Sequence, residues 1–260
     1  MGKGEPLIIL HGLYGSSDNW MSIAKELVSN HRVIVVDQRN HGQSPHSSEH
    51  SYTDLVNDLL ELFDELELEK AIVLGHSMGG KVAMQFTIDH PELVSSLIIV
   101  DIAPWSYLVG NGSSAQLEDD HRHIINGLME IPINSITSRI DADEILSHWV
   151  KSERIRQFLL KNLKRELNGT FAWKFNLPAL ASNLSQIMGS ITPDSRKIPC
   201  KTKTLFIKGE LSSYIPDNRT EEIKNIFQKS NFVTIEKAGH WVHAENPIPF
   251  LIEIKKFLEH

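Results

Sequence analysis

One serine in this sequence stands in the pattern of an enzymatic nucleophile. Gly75-His76-Ser77-Met78-Gly79 follows directly after the apolar run 71–74 and directly precedes a helical pattern over 78–90. A Gly-x-Ser-x-Gly segment between a strand and a helix makes a sharp turn that exposes the serine Oγ at the end of the strand. The helix N-terminus at that point favours developing negative charge. The segment therefore predicts Ser77 as a nucleophile for acyl transfer.

A serine nucleophile needs a base to take its proton, and His240 is the candidate. It lies in Ala238-Gly239-His240-Trp241, directly after the last predicted strand, 232–235. This position agrees with the chain order serine, acid, histidine. Because the sequence holds 13 histidines, the prediction that His240 is the base rests on its place after the last strand and not on its residue type. His11 and His76, which flank the site in the sequence pattern, are expected to pack or to join a polar network.

The acid that orients the histidine and stabilises its imidazolium has several candidates. Asp101 follows the buried run 97–100 at its carboxyl end, where an unpaired carboxylate is costly, and we favour it. The alternatives follow the next strand, where Ser212 stands about where an aspartate is expected. Glu210 is the second candidate for the acid and Asp217 the third.

The tetrahedral intermediate of acyl transfer needs two backbone N–H groups as an oxyanion hole. One is expected from Met78, the residue after the nucleophile, and the other from the loop His11-Gly12-Leu13-Tyr14-Gly15. We assign the second donor to Leu13, with Tyr14 as the alternative. The glycines of this loop allow its backbone to approach a substrate closely. A plain tight turn is the competing interpretation of the loop.

Together these residues predict hydrolysis through an acyl-enzyme. His240 deprotonates Ser77, which attacks the ester carbonyl, and water then cleaves the acyl-enzyme with the same base. The sequence has no His/Asp/Cys cluster with metal-ligand spacing, and no strand opens a Gly-x-Gly-x-x-Gly segment. We therefore expect neither a metal nor an organic cofactor.

Short apolar runs alternate with amphipathic stretches, a pattern typical of an α/β fold with a mostly parallel sheet of about six strands flanked by helices. The runs are almost unbroken and β-branched, as strands covered on both faces should be. The predicted strands centre on 7–10, 33–36, 71–74, 97–100, 204–207 and 232–235. Helices of the same layers are expected at 51–66, 78–90, 216–228 and 247–258.

The interval 104–200 interrupts this alternation and is far longer than a usual connection. Its periodicity and its aromatic residues are wrong for a disordered linker. We expect a helical cap at 104–200, inserted after the fourth strand into a core formed by 1–103 and 201–260. Helices of the cap are expected at 117–129, 142–150, 154–168 and 177–188.

Four aromatic residues are candidates for the wall of an acyl pocket. An aromatic side chain at the interface of core and cap fits the same sequence positions equally well, so both interpretations stay open. The four candidates are Tyr14, Trp105, Trp173 and Trp241.

Composition narrows the class of partner to a small molecule. A net charge of −7 argues against nucleic acid or an anionic membrane surface, which attract basic faces. The single cysteine, Cys200, excludes an intrachain disulfide. The sequence shows no signal-peptide pattern and no apolar run of the ~20 residues that a membrane span needs, so a cytoplasmic location is expected. Leu258-Glu259-His260 is interpreted as the start of a histidine tag and carries no functional argument.

The motifs also resemble those of a known family over nearly the whole chain. They are similar to the motifs of the bacterial YbfF-type esterases and their eukaryotic abhydrolase-domain relatives. The segments at 39–42 and 101–104 are more specific than the serine turn, which many hydrolases share. The matching segments are His11–Ser16, Asp37–Gly42, Gly75–Lys81, Asp101–Pro104 and Gly239–Glu245.

The resemblance implies the α/β-hydrolase fold and a triad of Ser77, Asp101 and His240. It implies hydrolysis of short- to medium-chain carboxylic esters, and it extends the expectation to acyl thioesters. The family usually has a strand ahead of the first motif, so we expect this sheet to be short by one or two strands. Within the cap the match is best at 171–178.

Other activities remain open on the same fold, because a fold hosts many functions. The same triad supports carbon–carbon bond hydrolysis and perhydrolysis. Dehalogenase and epoxide-hydrolase chemistry is disfavoured, because those enzymes use aspartate where this chain has Ser77. A ligand receptor with slow or absent turnover is the alternative from a different class of protein.

Overall fold

A computed structural model describes residues 1–108 and 113–259 of the chain; His260, part of the segment interpreted as a tag, lies outside them. Within the described residues, six strands form one parallel sheet in the order β2-β1-β3-β4-β7-β8. This sheet confirms the predicted α/β architecture. Its strands are β1 Glu5–Leu10, β2 His31–Val36, β3 Ala71–His76, β4 Val94–Val100, β7 Lys203–Gly209 and β8 Ser230–Ile235.

The helices lie between and after these strands along the chain, and those near the strands in sequence pack on the sheet. Residues that alternate along the strands, such as Leu7 and Ile9, share one buried cluster with residues of the first and last helices. The residues between them point to the opposite face, so the sheet is buried on both sides. The helices are α1 Met21–Leu27, α2 Tyr52–Glu65, α3 Met78–Asp89, α4 Ser113–Glu130, α5 Arg139–Ser147, α6 Glu153–Leu160, α7 Leu177–Ser182, α8 Leu184–Met188, α9 Thr220–Ile226, α10 Val242–Glu245 and α11 Pro247–Leu258.

The chain divides into two compact units. Unit 1 consists of Met1–Gln38, Tyr52–Trp105 and Ser190–His260, and it contains the six-stranded sheet. Unit 2 consists of Arg39–Ser51 and Ser106–Gly189 and contains α4 to α8. The insertion boundaries expected from the sequence, 104 and 200, stay a prediction. None of the helices in the described residues is long and apolar enough to cross a membrane.

Unit 2 contains a small antiparallel sheet that the helical pattern did not predict. Strand β5, Leu163–Arg165, pairs with β6, Phe171–Trp173. The prediction of one helix over 154–168 is therefore wrong beyond Leu160, where α6 ends. The buried leucines of this segment fit a helical spacing, but Gly169 at φ 87° permits a tight turn that returns the chain to pair with itself.

The segment Arg39–Gly42, part of the family resemblance, serves a structural role within unit 2. Asn40 adopts a left-handed backbone conformation with φ 65°. Its side-chain oxygen accepts hydrogen bonds from the Ser47 N–H at 2.7 Å and from the Asn176 Nδ2 at 3.0 Å. The Asn176 backbone N–H also donates to the Asn40 carbonyl at 2.8 Å. This network joins the segment 39–51 to residues that follow it in the chain by more than a hundred positions.

Candidate active site

Ser77 lies on a strained turn between β3 and α3. Its backbone has φ 52° and ψ −123°, a conformation that residues with a side chain rarely adopt. A Cβ on Gly75 would lie 2.3 Å from the Gly79 carbonyl oxygen, and a Cβ on Gly79 would lie 2.5 Å from the His11 carbonyl oxygen. Only glycine fits at either position. The two glycines therefore allow α3 to start close to the sheet, with Ser77 at the turn.

Three side chains from separate loops of unit 1 form one chain of hydrogen bonds. The Ser77 hydroxyl donates to the His240 Nε2 at 3.0 Å. The His240 Nδ1–H donates to the Asp101 Oδ2 at 2.8 Å. Nε2 accepts and Nδ1 donates, which is the hydrogen-bond pattern of a neutral imidazole. The structure thus brings together the nucleophile, base and acid that the sequence suggested.

Asp101 is fully buried at the carboxyl end of β4 and accepts three hydrogen bonds. The Gly209 N–H donates to its Oδ1 at 3.0 Å, while the His240 Nδ1 and the Ser212 hydroxyl both donate to its Oδ2. Burial raises the pKa of Asp101, and the hydrogen bonds from Ser212 and Gly209 oppose this rise. The carboxylate is thus compensated by fixed donors, as a buried anion must be.

The two other acid candidates have different partners. Glu210 is exposed, and its Oε2 accepts a hydrogen bond from the Lys237 backbone N–H at 2.8 Å. Asp217 has a side chain 90% exposed and pairs with Lys208. Of the three candidates, Asp101 is the one hydrogen bonded to His240.

The loop that carries His240 is held by two neighbours. The His76 Nε2–H donates to the His240 carbonyl oxygen at 2.9 Å, so the residue before the nucleophile binds the backbone of the base. The Glu245 carboxylate accepts the Gly239 N–H at 2.8 Å and the Trp241 N–H at 3.2 Å. These bonds fix the backbone on both sides of His240.

His240 and Asp101 form a coupled pair with respect to protons. Burial lowers the pKa of His240, and the negative charge of Glu245 opposes this effect. Burial also raises the pKa of Asp101. Both shifts follow from the removal of charges from water. When the pH falls, the two residues share the first proton that is taken up, so the observed pKa is a property of the pair and not of either residue alone.

The loop after β1 lies directly beside Ser77. A Cβ on Gly12 would lie 3.0 Å from the Ser77 Cβ. His11 fixes this loop, because its Nδ1–H donates to the Gly12 carbonyl at 2.8 Å and its Nε2 accepts the Gln38 N–H at 3.1 Å. Burial lowers the pKa of His11, in agreement with this neutral tautomer. Leu13 follows Gly12 in the loop, and Met78 follows Ser77 as the first residue of α3.

The aromatic candidates occupy different surroundings. Tyr14 is buried with φ 59° in the loop after β1. The Trp105 ring packs on the Arg219 guanidinium at 3.8 Å, and the Trp241 ring lies edge-on to His240 with centroids 5.6 Å apart. Trp173 lies in unit 2, stacked on Phe175 with centroids 5.1 Å apart. Their role in binding substrate stays a prediction.

Lys81, on α3, fixes the chain segment that carries Trp105. Its side chain is almost fully buried, and its Nζ donates to the Trp105 carbonyl oxygen at 2.9 Å. Burial lowers the pKa of Lys81 to about 7. The Lys81 Nζ also lies 5.7 Å from the centre of the Tyr52 ring, within range of a cation–π interaction.

Sequence reasoning missed three residues that support the histidine and the acid. Ser212 was recognised only as the place of an expected aspartate, although its hydroxyl donates to Asp101. Glu245 was part of a matching segment without an assigned role. Tyr214, whose ring stacks on His240, had no signal in the sequence, because a stacking partner is set by the path of a loop.

Comparisons with known proteins agree with this fold and geometry. The sequence pattern of the α/β hydrolase fold matches residues 5–131. The sn-1-specific diacylglycerol lipase ABHD11 of Danio rerio is 38% identical over 266 residues, which cover 99% of this chain and 80% of that protein. Esterase YbfF of Escherichia coli K12 is 34% identical over 257 residues, which cover 98% of this chain and 94% of that protein.

A solved structure described as a marine microorganism esterase is also similar. It aligns with a TM-score of 0.93 at 44% sequence identity and covers 98% of this chain and 96% of its own. The similarity to the two related sequences and to the solved structure extends over nearly the whole length of the chain, through both units. The chain therefore belongs to the α/β hydrolase fold family.

Proposed function

We propose that this carboxylic ester hydrolase works through an acyl-enzyme on Ser77, with His240 as base and Asp101 as acid. The observation that carries the proposal is the buried hydrogen-bond chain from the Ser77 hydroxyl through His240 to Asp101. A neutral imidazole between a hydroxyl and a carboxylate can take the serine proton and keep the resulting charge paired. Ser77 is 7% exposed, so the reaction takes place in a site that is largely shielded from bulk water.

The mechanism has two acyl-transfer steps. His240 removes the Ser77 proton while the oxygen attacks the ester carbonyl, and the imidazolium then donates that proton to the leaving alcohol. Water attacks the acyl-enzyme with the same base, which frees the carboxylic acid. The backbone N–H groups of Leu13 and Met78 hold the oxyanion in both steps. The position of Gly12 against Ser77 supports the assignment to this loop.

The substrates that we propose are carboxylic esters with short to medium acyl chains, and acyl thioesters as a second group. The names of similar proteins support an ester substrate, since one is an esterase and another a diacylglycerol lipase. The same triad acts on a thioester, because the attacked group is again an acyl carbonyl. Tyr14, Trp105 and Trp241, all in unit 1, are the proposed apolar contacts for the acyl chain.

Hydrolysis of p-nitrophenyl acetate, butyrate and octanoate tests the proposal, with acetyl- and octanoyl-CoA as thioester substrates. We expect turnover by the purified protein and a loss of more than 10³-fold in the Ser77→Ala variant. Ser29→Ala, at an exposed position, is the matched control and should keep full activity. The trend with chain length reports the size of the acyl pocket.

Two results would contradict the proposal. Turnover that survives in the Ser77→Ala variant would exclude an acyl-enzyme on this residue. No turnover of any ester or thioester by a folded protein would favour a carbon–carbon bond hydrolase or a receptor. Mass spectrometry after treatment with a fluorophosphonate probe then separates the hydrolase from the receptor, because the activated serine of a hydrolase gains one covalent adduct.

A further inference from the structure

The ring of Tyr214 lies flat against the imidazole of His240. Their centroids are 3.9 Å apart and their planes differ by 16°. Two further rings meet His240 at an angle: His76 at 4.8 Å and 42°, and Trp241 at 5.6 Å and 70°. Tyr214 is 7% exposed, so its ring shields one face of the imidazole from water.

The loop between β7 and α9 holds the Tyr214 ring in this position. The Tyr214 backbone N–H donates to the Ser212 Oγ at 3.3 Å, and the Ser212 hydroxyl donates to Asp101. On the other side, the Lys208 Nζ donates to the Ile215 carbonyl at 3.4 Å. Ser212 thus links the backbone of Tyr214 to Asp101, the same carboxylate that binds His240.

Two hydrogen bonds alone leave the imidazole one degree of freedom. The N–H bond and the lone pair of an imidazole lie in the plane of the ring, so the hydrogen bonds of Nδ1 with Asp101 and of Nε2 with Ser77 are directed along that plane. They permit the ring to tilt about the line that joins the two nitrogen atoms. A flat contact on the ring face opposes this tilt, because any rotation would press the imidazole into the tyrosine ring.

We propose that Tyr214 is a positioning residue for the reaction: its ring holds the His240 imidazole in the plane of the proton transfer and stabilises the imidazolium that forms. The inference rests on the proposed function of His240 as base. An aromatic face attracts a cation placed over it within about 6 Å, and more strongly where water is excluded. The neutral imidazole gains less from this face, so the effect is larger in the transition state than in the ground state.

Other groups that face His240 remain unchanged when Tyr214 is replaced. Asp101 and Glu245 supply negative charge to the imidazole. His76 and His243 lie on neighbouring elements, and burial lowers the pKa of each, so both are neutral near pH 7. A difference between two variants at position 214 therefore reports on the ring alone.

The test compares Tyr214→Leu with Tyr214→Phe in the hydrolysis of p-nitrophenyl butyrate. Both variants lose the hydroxyl, and only the leucine variant loses the aromatic face. In Tyr214→Leu we expect kcat to fall about 5- to 30-fold with KM within twofold of the parent value. The acid limb of the kcat/KM profile should move about 0.5–1 pH unit lower, because the imidazolium has lost its stabilising face. Tyr214→Phe should keep the parent profile.

Phe232→Leu is the matched control. Phe232 stacks on Phe206 at 5.1 Å and 14°, so this variant loses a similar ring contact in β8. It should lower thermal stability without a shift of the acid limb. If Tyr214→Leu does not fold, Tyr214→Met removes the ring with an unbranched side chain that adapts better to the space left and gives the same comparison.

The inference is overturned if the leucine, or methionine, and phenylalanine variants share the same kcat and the same acid limb. It is also overturned if the phenylalanine variant loses as much as the leucine variant. Turnover by the parent protein in the same assay, lost in Ser77→Ala, shows that the proposed function holds in either case. No turnover by the parent protein would instead contradict the proposed function itself.

Discussion

Replacement of Asp101 by asparagine should inactivate the protein without unfolding it. The Gly209 N–H donates to Oδ1, so the amide oxygen of an asparagine would take that place. The amide NH₂ would then occupy the position of Oδ2 and point at the His240 Nδ1. Two N–H groups cannot face each other, so the imidazole must move its proton to Nε2. In that tautomer it cannot accept the proton of Ser77.

The distance between His240 and Asp101 gives the size of the effect. Opposite charges 2.8 Å apart attract by roughly 6 kcal/mol at an effective dielectric constant of 20. The imidazolium loses this attraction when the carboxylate becomes an amide. At about 1.4 kcal/mol for each factor of ten, kcat/KM should fall about 10⁴-fold.

The assay is p-nitrophenyl butyrate hydrolysis at pH 8, with circular dichroism and thermal unfolding as the check on the fold. Glu210→Gln is the matched control, because its carboxylate binds the backbone of Lys237 and not His240. It should keep activity within about threefold. Asp101 is not the acid if Asp101→Asn keeps more than a tenth of the parent activity. If Glu210→Gln is the inactive variant, Glu210 is the acid instead.

Three further outcomes are expected. Because His240 and Asp101 gain a proton together, kcat/KM should be full at alkaline pH and fall about tenfold per unit below the midpoint of the pair; a profile that stays flat at every pH at which the protein is folded would exclude His240 as base. Ser212→Ala removes a hydrogen bond that lowers the pKa of Asp101, so the midpoint should rise, and a midpoint that falls contradicts this. Gly79→Ala places a Cβ 2.6 Å from the Leu10 carbonyl oxygen, so thermal unfolding should show a loss of about 1–3 kcal/mol, and an unchanged unfolding temperature would mean that the turn can relax.

The nucleophile and the base could be predicted from the sequence because local patterns determine their positions. The turn at Ser77 requires the glycines on either side of it, and the strand before the turn is recognised in the sequence as an apolar run. The segment after the last strand is read from the same alternation, which leads to His240. Asp101 was favoured as the acid because an unpaired buried carboxylate has a high free energy. This argument is general and left Glu210 as an alternative acid, whereas the structure joins Asp101 to His240 by a hydrogen bond.

The partners that refine the site could not be predicted, because they depend on contacts between distant loops. Ser212 and Asp101 are 111 positions apart, and nothing in either segment indicates the hydrogen bond between them. The stack of Tyr214 on His240 depends on that same loop. The hairpin of β5 and β6 was missed for a related reason, since pairing between strands competed with a local helical pattern at Leu163.

The backbone of Ser77 places stability and activity in opposition. A residue with a side chain held at φ 52° and ψ −123° is destabilised by about 1–3 kcal/mol. Glycine adopts this conformation freely, so Ser77→Gly should unfold at a higher temperature, with a net gain of about 1 kcal/mol after the greater freedom of its unfolded chain. The same variant has no nucleophile. The protein is thus less stable than its fold allows, and the difference lies at the residue that carries out the reaction.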